Sequence, residues 1–253
     1  MSFWSVIEHN LLQLRHTWRA TLWIFISPFF FLIGMGWGVG SLVNPQAGGF
    51  EGISYLAFIA PGLLAVTAMQ QGAMEGAWPI LDKVMWRQTY LAMLSTPLGI
   101  NQILLGEMSW LTLRLLAISL FFWLGMLGLG LIHTPWAILA LPVVVLTGLA
   151  FAMPFTALSG VAQNDRIFIL LFRIGIMPLF LLAGAFFPID RLPSPLQSVA
   201  WLTPTFHGVA WARELILGTP QLPLDLLHLT VLLFFVGSGT LLARWTLSRR
   251  LLK

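Results

Sequence analysis

The sequence predicts an all-α integral membrane protein. It has six transmembrane helices, an N-terminal interfacial amphipathic helix, a short polar helix on the cytoplasmic side, and Pro-broken extracellular re-entrant helices between spans five and six. Three observations lead there. Hydrophobic residues make up 58% of the 253 positions and charged residues 9%, with a mean hydropathy of +0.88. A soluble domain carries about 25% charged residues, so a chain this apolar cannot cover itself with a polar surface and takes hydrocarbon as its solvent. The apolar residues fall in blocks of the ~20 residues that cross one bilayer core. Lysine and arginine gather at alternate block ends, the bias that marks cytoplasmic loops.

Residues 1–21 form the first element. Phe3, Ile7, Leu11, Leu14 and Trp18 recur at spacings of four, four, three and four, which is one face of a helix, while His9, Asn10, Gln13, His16 and Arg19 lie mostly elsewhere. Such a helix lies in the interface rather than crossing it. Its dispersed charges, with no small-residue cleavage site after the next apolar run, argue against a signal peptide. Span one covers 22–43. Pro28 and the glycines Gly34, Gly36, Gly38 and Gly40 interrupt it, and their spacing offers a flat face for close packing.

A short loop, 44–52, leads to span two at 54–74, which ends near Gln70, Gln71 and Glu75. Residues 80–98 are too polar to span. Asp82, Lys83, Trp86, Arg87, Gln88 and Tyr90 lie in a stretch able to form a helix, with Pro79 suited to its start and Pro97-Leu98-Gly99 to its end. Spans three, four and five follow at 108–131, 136–158 and 167–187. Residues 188–218 form an outer cap broken by Pro188, Pro193, Pro195 and Pro204, whose apolar pieces at 196–202 and 209–217 are too short to cross. Span six is 224–244, followed by a basic tail.

One set of span ends holds Arg15, Arg19, Lys83, Arg87, Arg166, Arg244, Arg249, Arg250 and Lys253; the other holds Arg191 and Arg213. That asymmetry, with an even number of spans, places both termini in the cytoplasm. Trp18, Trp23, Trp110, Trp136 and Trp245 fall near proposed span ends, where amphipathic rings settle. The net charge of +4 and the pI near 10.3 would suggest nucleic acid in a soluble protein; beside membrane spans they fit anionic headgroups instead.

Several chemistries are excluded. Cysteine is absent, so there is no disulfide, Cys-ligated zinc, iron–sulfur cluster or thiol nucleophile. There is no G-x-x-x-x-G-K-[ST] to cradle a nucleotide and no H-E-x-x-H, and His9, His16, His133, His207 and His228 lack ligand spacing. Leu158-Ser159-Gly160 lacks the preceding glycine of a nucleophile elbow, so Ser159 reads as a small residue in a helix contact. The chain is expected to be no enzyme, with no catalytic residue, metal or cofactor of its own.

Three places could carry function. On a helix over 80–98, Lys83, Arg87 and Tyr90 share one stripe, while Ile80, Val84 and Leu91 share another. Two cations four apart repel mildly and require an anion nearby, either lipid phosphate or an acidic cleft on a partner. Arg173 lies inside span five, where a charge is costly; it snorkels, pairs with Glu75 or Glu107, or lines a path. Arg114, one turn beyond Trp110, reads as a snorkelling anchor, and Glu107 shares its face without touching it. In the outer segment, Pro188, Asp190, Arg191, Pro204, His207, Arg213 and Glu214 suggest a cap over a pathway. Irregular backbone at membrane depth survives only where protein or a water-filled cavity satisfies it.

The order of elements and several motifs resemble the permease subunits of ABC-2 type exporters. The residues that carry the likeness are Ser95-Thr96-Pro97-Leu98 followed by Leu105-Gly106-Glu107-Met108; Pro142 and Leu146-Thr147-Gly148-Leu149-Ala150-Phe151; the run from Leu182 through Ala183-Gly184-Ala185-Phe186-Phe187-Pro188-Ile189-Asp190-Arg191-Leu192 to Pro193; and Trp201-Leu202-Thr203-Pro204, His207, and Arg213-Glu214 through Gly218. The likeness covers essentially the whole chain, most strongly 80–218. It is greatest to nodulation lipo-oligosaccharide exporter permeases and next to daunorubicin-type drug exporter permeases.

The resemblance implies a homodimer docked on two copies of a separate ATP-binding-cassette ATPase, which holds the ATP and Mg. Residues 80–98 become the coupling helix, with Asp82, Lys83, Trp86 and Arg87 as contacts. Glu107, Arg114 and Arg173 serve the translocation pathway or intramembrane pairing. The segment 188–218 becomes an outer gate, with Pro188, Asp190, Pro204, His207, Arg213 and Glu214. The cargo would be an amphiphile or a lipid-linked molecule leaving across a bacterial inner membrane, with membrane lipids as partners and no nucleic acid. Arg173 departs from the family pattern, so no role carries over to it. Two other readings stay open: an ion-coupled secondary transporter acting without an ATPase, and a membrane enzyme acting on lipid-linked substrates.

Overall fold

The computed structural model describes residues 3–40, 42, 53–132, 134–219 and 221–252, with backbone alone at 16–21 and 222–223. The expected loop 44–52, the last residue of span one (Val43), His133 and Lys253 lie outside the described residues, as do the side chains of His16, Trp18 and Arg19. Every regular element among the described residues is helical.

Helix α1 runs Trp4–Ile33 and continues as a π turn, Gly34–Val39. The expected break between an interfacial helix and span one is absent. The reason is local: no glycine or proline occurs between Trp4 and Ser27, so nothing interrupts the hydrogen-bond ladder. The glycine face foreseen in span one is only partly used. Gly36 faces Leu56, while a Cβ added at Gly34 would meet open space.

Helix α2, Tyr55–Leu81, starts with the Ser54 hydroxyl accepting from the Ala57 amide at 3.2 Å and continues as a π turn, Asp82–Trp86. It stops where Gln88 takes the left-handed φ of 51°, and α3 follows as Thr89–Leu94. The separate helix expected over 80–98 is therefore divided: its first half is the end of α2. Ile80 and Leu81 are fully buried. They carry the apolar face of α2 past Pro79, and that burial outweighs the proline's break signal.

Helix α4 spans Ile100–Gly128, beginning eight residues ahead of expected span three. Ile100, Ile103 and Leu104 are buried and prolong the inward face, and the Gln102 side chain accepts from the Gly99 amide at 2.9 Å. A 3-10 turn, Pro135–Leu139, leads into α5, Ala140–Ser159.

Expected span five is the main departure. Helix α6 (Arg166–Leu171), a π turn (Phe172–Ile176) and α7 (Met177–Leu182) form one run of 17 residues. At 1.5 Å per residue that is about 25 Å, less than the ~30 Å hydrocarbon core. The chain leaves the helix before residue 187 because Gly184 takes a φ of +77°. Among the described residues, five helices are long and apolar enough to cross a membrane: Leu22–Val39, Tyr55–Trp86, Ile100–Gly128, Pro135–Ser159 and Leu224–Leu251. After a short 3-10 turn, Ile189–Arg191, come α8 (Ser194–Trp201), α9 (Pro204–Leu217) and α10 (Leu222–Leu251). The basic tail from Arg244 to Arg250 belongs to α10.

Helices α2 and α5 are the buried centre; α1, α4 and α10 turn most of their residues outward. Apolar burial gives no driving force between helices in lipid, so close packing of small residues must hold them. Gly72 and Gly76 provide it. A Cβ at Gly72 would fall 2.0 Å from the Gly148 carbonyl oxygen, and one at Gly76 would fall 2.2 Å from that of Ala152. Ser159 sits at the same contact, its hydroxyl donating to the Gly76 and Ala77 carbonyls at 2.9 and 3.0 Å. Helix α9 lies along α2: Arg213 Nε donates to the Phe58 carbonyl near the start of α2, and the Thr205 hydroxyl meets Met69 Sδ near its middle. At 14 residues α9 is too short to cross, and its N-terminal end reaches the depth of mid-α2.

Candidate functional site

Two polar clusters stand at opposite ends of α2. The first joins three helices at its C-terminal end. Lys83 Nζ donates to both Glu107 carboxylate oxygens, at 2.7 and 2.8 Å, and to Asn10 Oδ1 at 2.7 Å. Asn10 Nδ2 closes the triangle onto Glu107 at 3.3 Å. Lys83 is 4% exposed and Glu107 2%. All three ammonium hydrogens are accounted for, which a buried cation requires. Two turns along both helices, in antiparallel order, Arg114 Nη2 meets Glu75 Oε1 at 3.0 Å. The two ion pairs line a cavity of about 190 Å³, with Gln13, Trp110 and Leu111 among its walls.

Burial, and then the Lys83 charge, push His9 below its usual range against the pull of Glu107. Tyr90 is buried, with no hydrogen bond of normal geometry to its hydroxyl. Burial first, and then the neighbouring Glu107 carboxylate, hold it well above the usual phenol range.

This geometry redistributes the residues expected to act together. Lys83 does not share an outward stripe with Arg87; it points inward. Trp86 is 58% exposed, and Arg87 is exposed and bonded to Asp82 at 2.8 Å. Arg114 is an ion-pair partner rather than a snorkelling anchor. Glu107 and Arg114 do share a face, as their spacing implies. Arg173 pairs with neither Glu75 nor Glu107, because Arg114 and Lys83 hold them; it lies exposed on the π turn of the short run.

The second cluster lies at the other end. The guanidinium of Arg213 donates to the carbonyls of Phe58, Gly184 and Ala185 at 3.3, 2.7 and 3.3 Å and stacks 3.9 Å over the Phe58 ring. It thus satisfies backbone carbonyls freed where the chain leaves α7, which a buried irregular segment requires. Burial lowers Arg213 to about 10, with Glu214 opposing. Arg213→Ala is expected to strand those carbonyls and lower the yield of monodisperse protein; Arg213→Lys rescues only in part, since an ammonium lacks the planar fork.

Pro204 opens α9, whose N-terminal turn is capped by Thr203 Oγ1 accepting from the Phe206 amide at 3.4 Å. His207 and His228 are buried and meet Nδ1 to Nδ1 at 2.7 Å. Pro188 and Asp190 lie at the short 3-10 turn, with Asp190 exposed.

Sequence reasoning missed Asn10, the pairing of Glu75 with Arg114, and His228. Only the second had a readable signal: opposite charges eight apart on one span (Glu75, Lys83) and seven apart on the next (Glu107, Arg114) match as two antiparallel pairs.

Among the described residues, an all-helical bundle with five helices long and apolar enough to cross a membrane, and ion pairs buried between them, is the class of a multi-pass membrane protein. The chain belongs to the ABC-2 type transporter family, whose model matches residues 1–217. It is 33% identical over 229 residues to nodulation protein J of Rhizobium leguminosarum bv. trifolii, covering 90% of this chain and 85% of that one. It is 32% identical over 228 residues to nodulation protein J of Rhizobium meliloti strain 1021, covering 89% and 84%. To the inner membrane transport permease YadH of Escherichia coli K12 it is 25% identical over 257 residues, covering 98% and 94%.

Proposed function

We propose that this chain is the membrane-spanning permease of an ATP-driven exporter, moving an amphiphilic or lipid-linked substrate out across a bacterial inner membrane. ATP and Mg bind a separate ATPase, present in two copies beneath a homodimer of this chain, with both chain termini on the cytoplasmic side. The run Arg166–Leu182, whose 17 residues sit at the short limit of a spanning helix, makes the sixth crossing where the bilayer thins to meet it. One observation carries the coupling part of this reading: Trp86 and Arg87 are exposed at the tip of α2, directly beyond the buried Lys83. A push on that tip is transmitted to α1 and α4 together, because Asn10 and Glu107 are bonded to the same ammonium group. The contacts expected of the ATPase are thus Trp86, Arg87 and Asp82, with Lys83 behind them as the anchor. Asn10, Glu107, Glu75 and Arg114 hold the inner wall of the pathway.

The test is co-purification of the permease with its ATP-binding partner, wild type against Trp86→Ala/Arg87→Glu. Tryptophan and arginine anchors are commonly worth about 2 kcal/mol, so roughly 30-fold weaker association is expected. Unchanged association together with unchanged ATP-dependent transport would remove the docking role.

The cavity between Glu75–Arg114 and Lys83–Glu107 also suits an ion-coupled carrier, since ionisable groups inside a membrane mark ion paths. Transport by the purified chain in liposomes without ATP would favour that second reading.

A further inference from the structure

We propose that the seam between α9 and α10 is a pH-bounded latch: His207–His228 at one point and Glu214–Asp225 at another hold the re-entrant helix against the last span, and the two contacts fail in opposite pH directions. The proposal does not depend on an ATPase.

The histidine contact fixes its own protons. His207 Nε2 lies 2.9 Å from the Trp201 carbonyl, which can only accept, so that nitrogen carries hydrogen. Neutral His207 therefore presents a bare Nδ1, and His228 must donate across the 2.7 Å gap from its own Nδ1. His228 Nε2 is then bare, buried and without a partner. A further proton has no tolerated place. On His207 Nδ1 it sets two N–H groups head to head. On His228 Nε2 it creates a buried cation whose N–H finds no acceptor. Acid therefore opens this contact.

The carboxylate contact has the opposite logic. Glu214 lies seven residues after His207 on α9, and Asp225 three residues before His228 on α10, so each pair of positions shares a face. Glu214 Oε2 and Asp225 Oδ1 are buried without any donor. Two carboxylates can share such a place only with a proton between them. Burial and the Asp225 partner push Glu214 up to about 7, with Arg213 pulling the other way. A carboxyl raised in the folded state stabilises it at low pH and loses that contribution as pH rises through the folded value. Alkali therefore opens this contact.

Among the described residues no other free charge competes: on α4, which also packs against α10, Glu107 is held by Lys83 at 2.7 Å and Arg114 by Glu75. Helices α5 and α8 and the 3-10 turn 135–139 carry no charged residue, and Glu75, the one charge in α2, is held by Arg114 at 3.0 Å. Arg213 is the remaining charge at the seam.

The chain has no cysteine, so spin labels can be placed cleanly at Leu202→Cys beside α9 and Leu241→Cys on α10, both exposed. The full chain in nanodiscs is then followed by electron–electron distance measurement from about pH 3.5 to about pH 9, a range that reaches below the ordinary histidine value because both rings are buried. One short-distance population is expected to dominate at intermediate pH, with a longer one growing at both extremes. Glu214→Gln is expected to abolish the alkaline change alone, and His228→Asn the acid change alone. A distance that does not move with pH in the labelled parent overturns the latch even if neither variant folds. So do pH responses that survive both substitutions.

Discussion

Lys83→Met is expected to destabilise the purified chain by about 3–5 kcal/mol in detergent unfolding, the cost of leaving a buried charge without its partner. Glu107 would be left at 2% exposure without its cation, keeping the 3.3 Å contact from Asn10. Glu107→Leu is expected to cost as much, since it strands the ammonium. The double variant Lys83→Met/Glu107→Leu is expected to recover most of the loss, because a well-packed apolar pair replaces a buried ion pair at little or no cost. That recovery separates a charge effect from a shape effect. A single Lys83→Met costing under about 1 kcal/mol would mean the ammonium is hydrated rather than sealed between α1, α2 and α4.

The second large effect is expected at the centre of the bundle. Gly72→Val places a Cβ 2.0 Å from the Gly148 carbonyl oxygen and 2.7 Å from its carbon. Both are backbone atoms, which cannot swing aside as a side chain would, so α2 and α5 must separate. Overpacking of this kind commonly costs about 1–3 kcal/mol and sometimes more, and the upper part of that range is expected. Gly237→Ala in α10 is the control: nothing lies within 4 Å of its Cβ position, and alanine there is expected to be neutral or to stabilise by up to about 1 kcal/mol. Thermal unfolding of both variants in one detergent checks the pair. Equal melting would show that the α2–α5 contact is looser than its geometry implies.

Much of the fold is legible in the residues because hydrophobicity along a chain is a local quantity. The blocks of apolar residues place α1, α2, α4, α5 and α10, and the prolines of 188–218 place α8 and α9 as pieces too short to cross. Helix continuity is less legible. Pro79 reads as a start, yet α2 passes through it, because Ile80 and Leu81 find a buried surface on the far side. Span five reads as long as the others, yet it ends at Leu182, because Gly184 turns left-handed to bring carbonyls to Arg213. The glycines of span one are conspicuous, yet it is Gly72 and Gly76, less crowded in the sequence, that set the close backbone approach of α2 to α5.

The sequence by itself determined the solvent of this protein, its helical class, its family, and which few polar residues must answer for being inside a membrane. Those follow from composition, periodicity and short motifs, each readable within about a turn or a span. Which polar residue answers to which was decided only in three dimensions. Lys83 meets Asn10 and Glu107 across 73 and 24 residues, His207 meets His228 across 21, and Arg213 reaches Phe58 across 155. Only the matched charge spacings of Glu75/Lys83 and Glu107/Arg114 hint at one of them, and no local pattern encodes the rest. They arise because helices packed in lipid have no water to satisfy a buried polar group, so each one takes whatever partner the tertiary packing brings within reach.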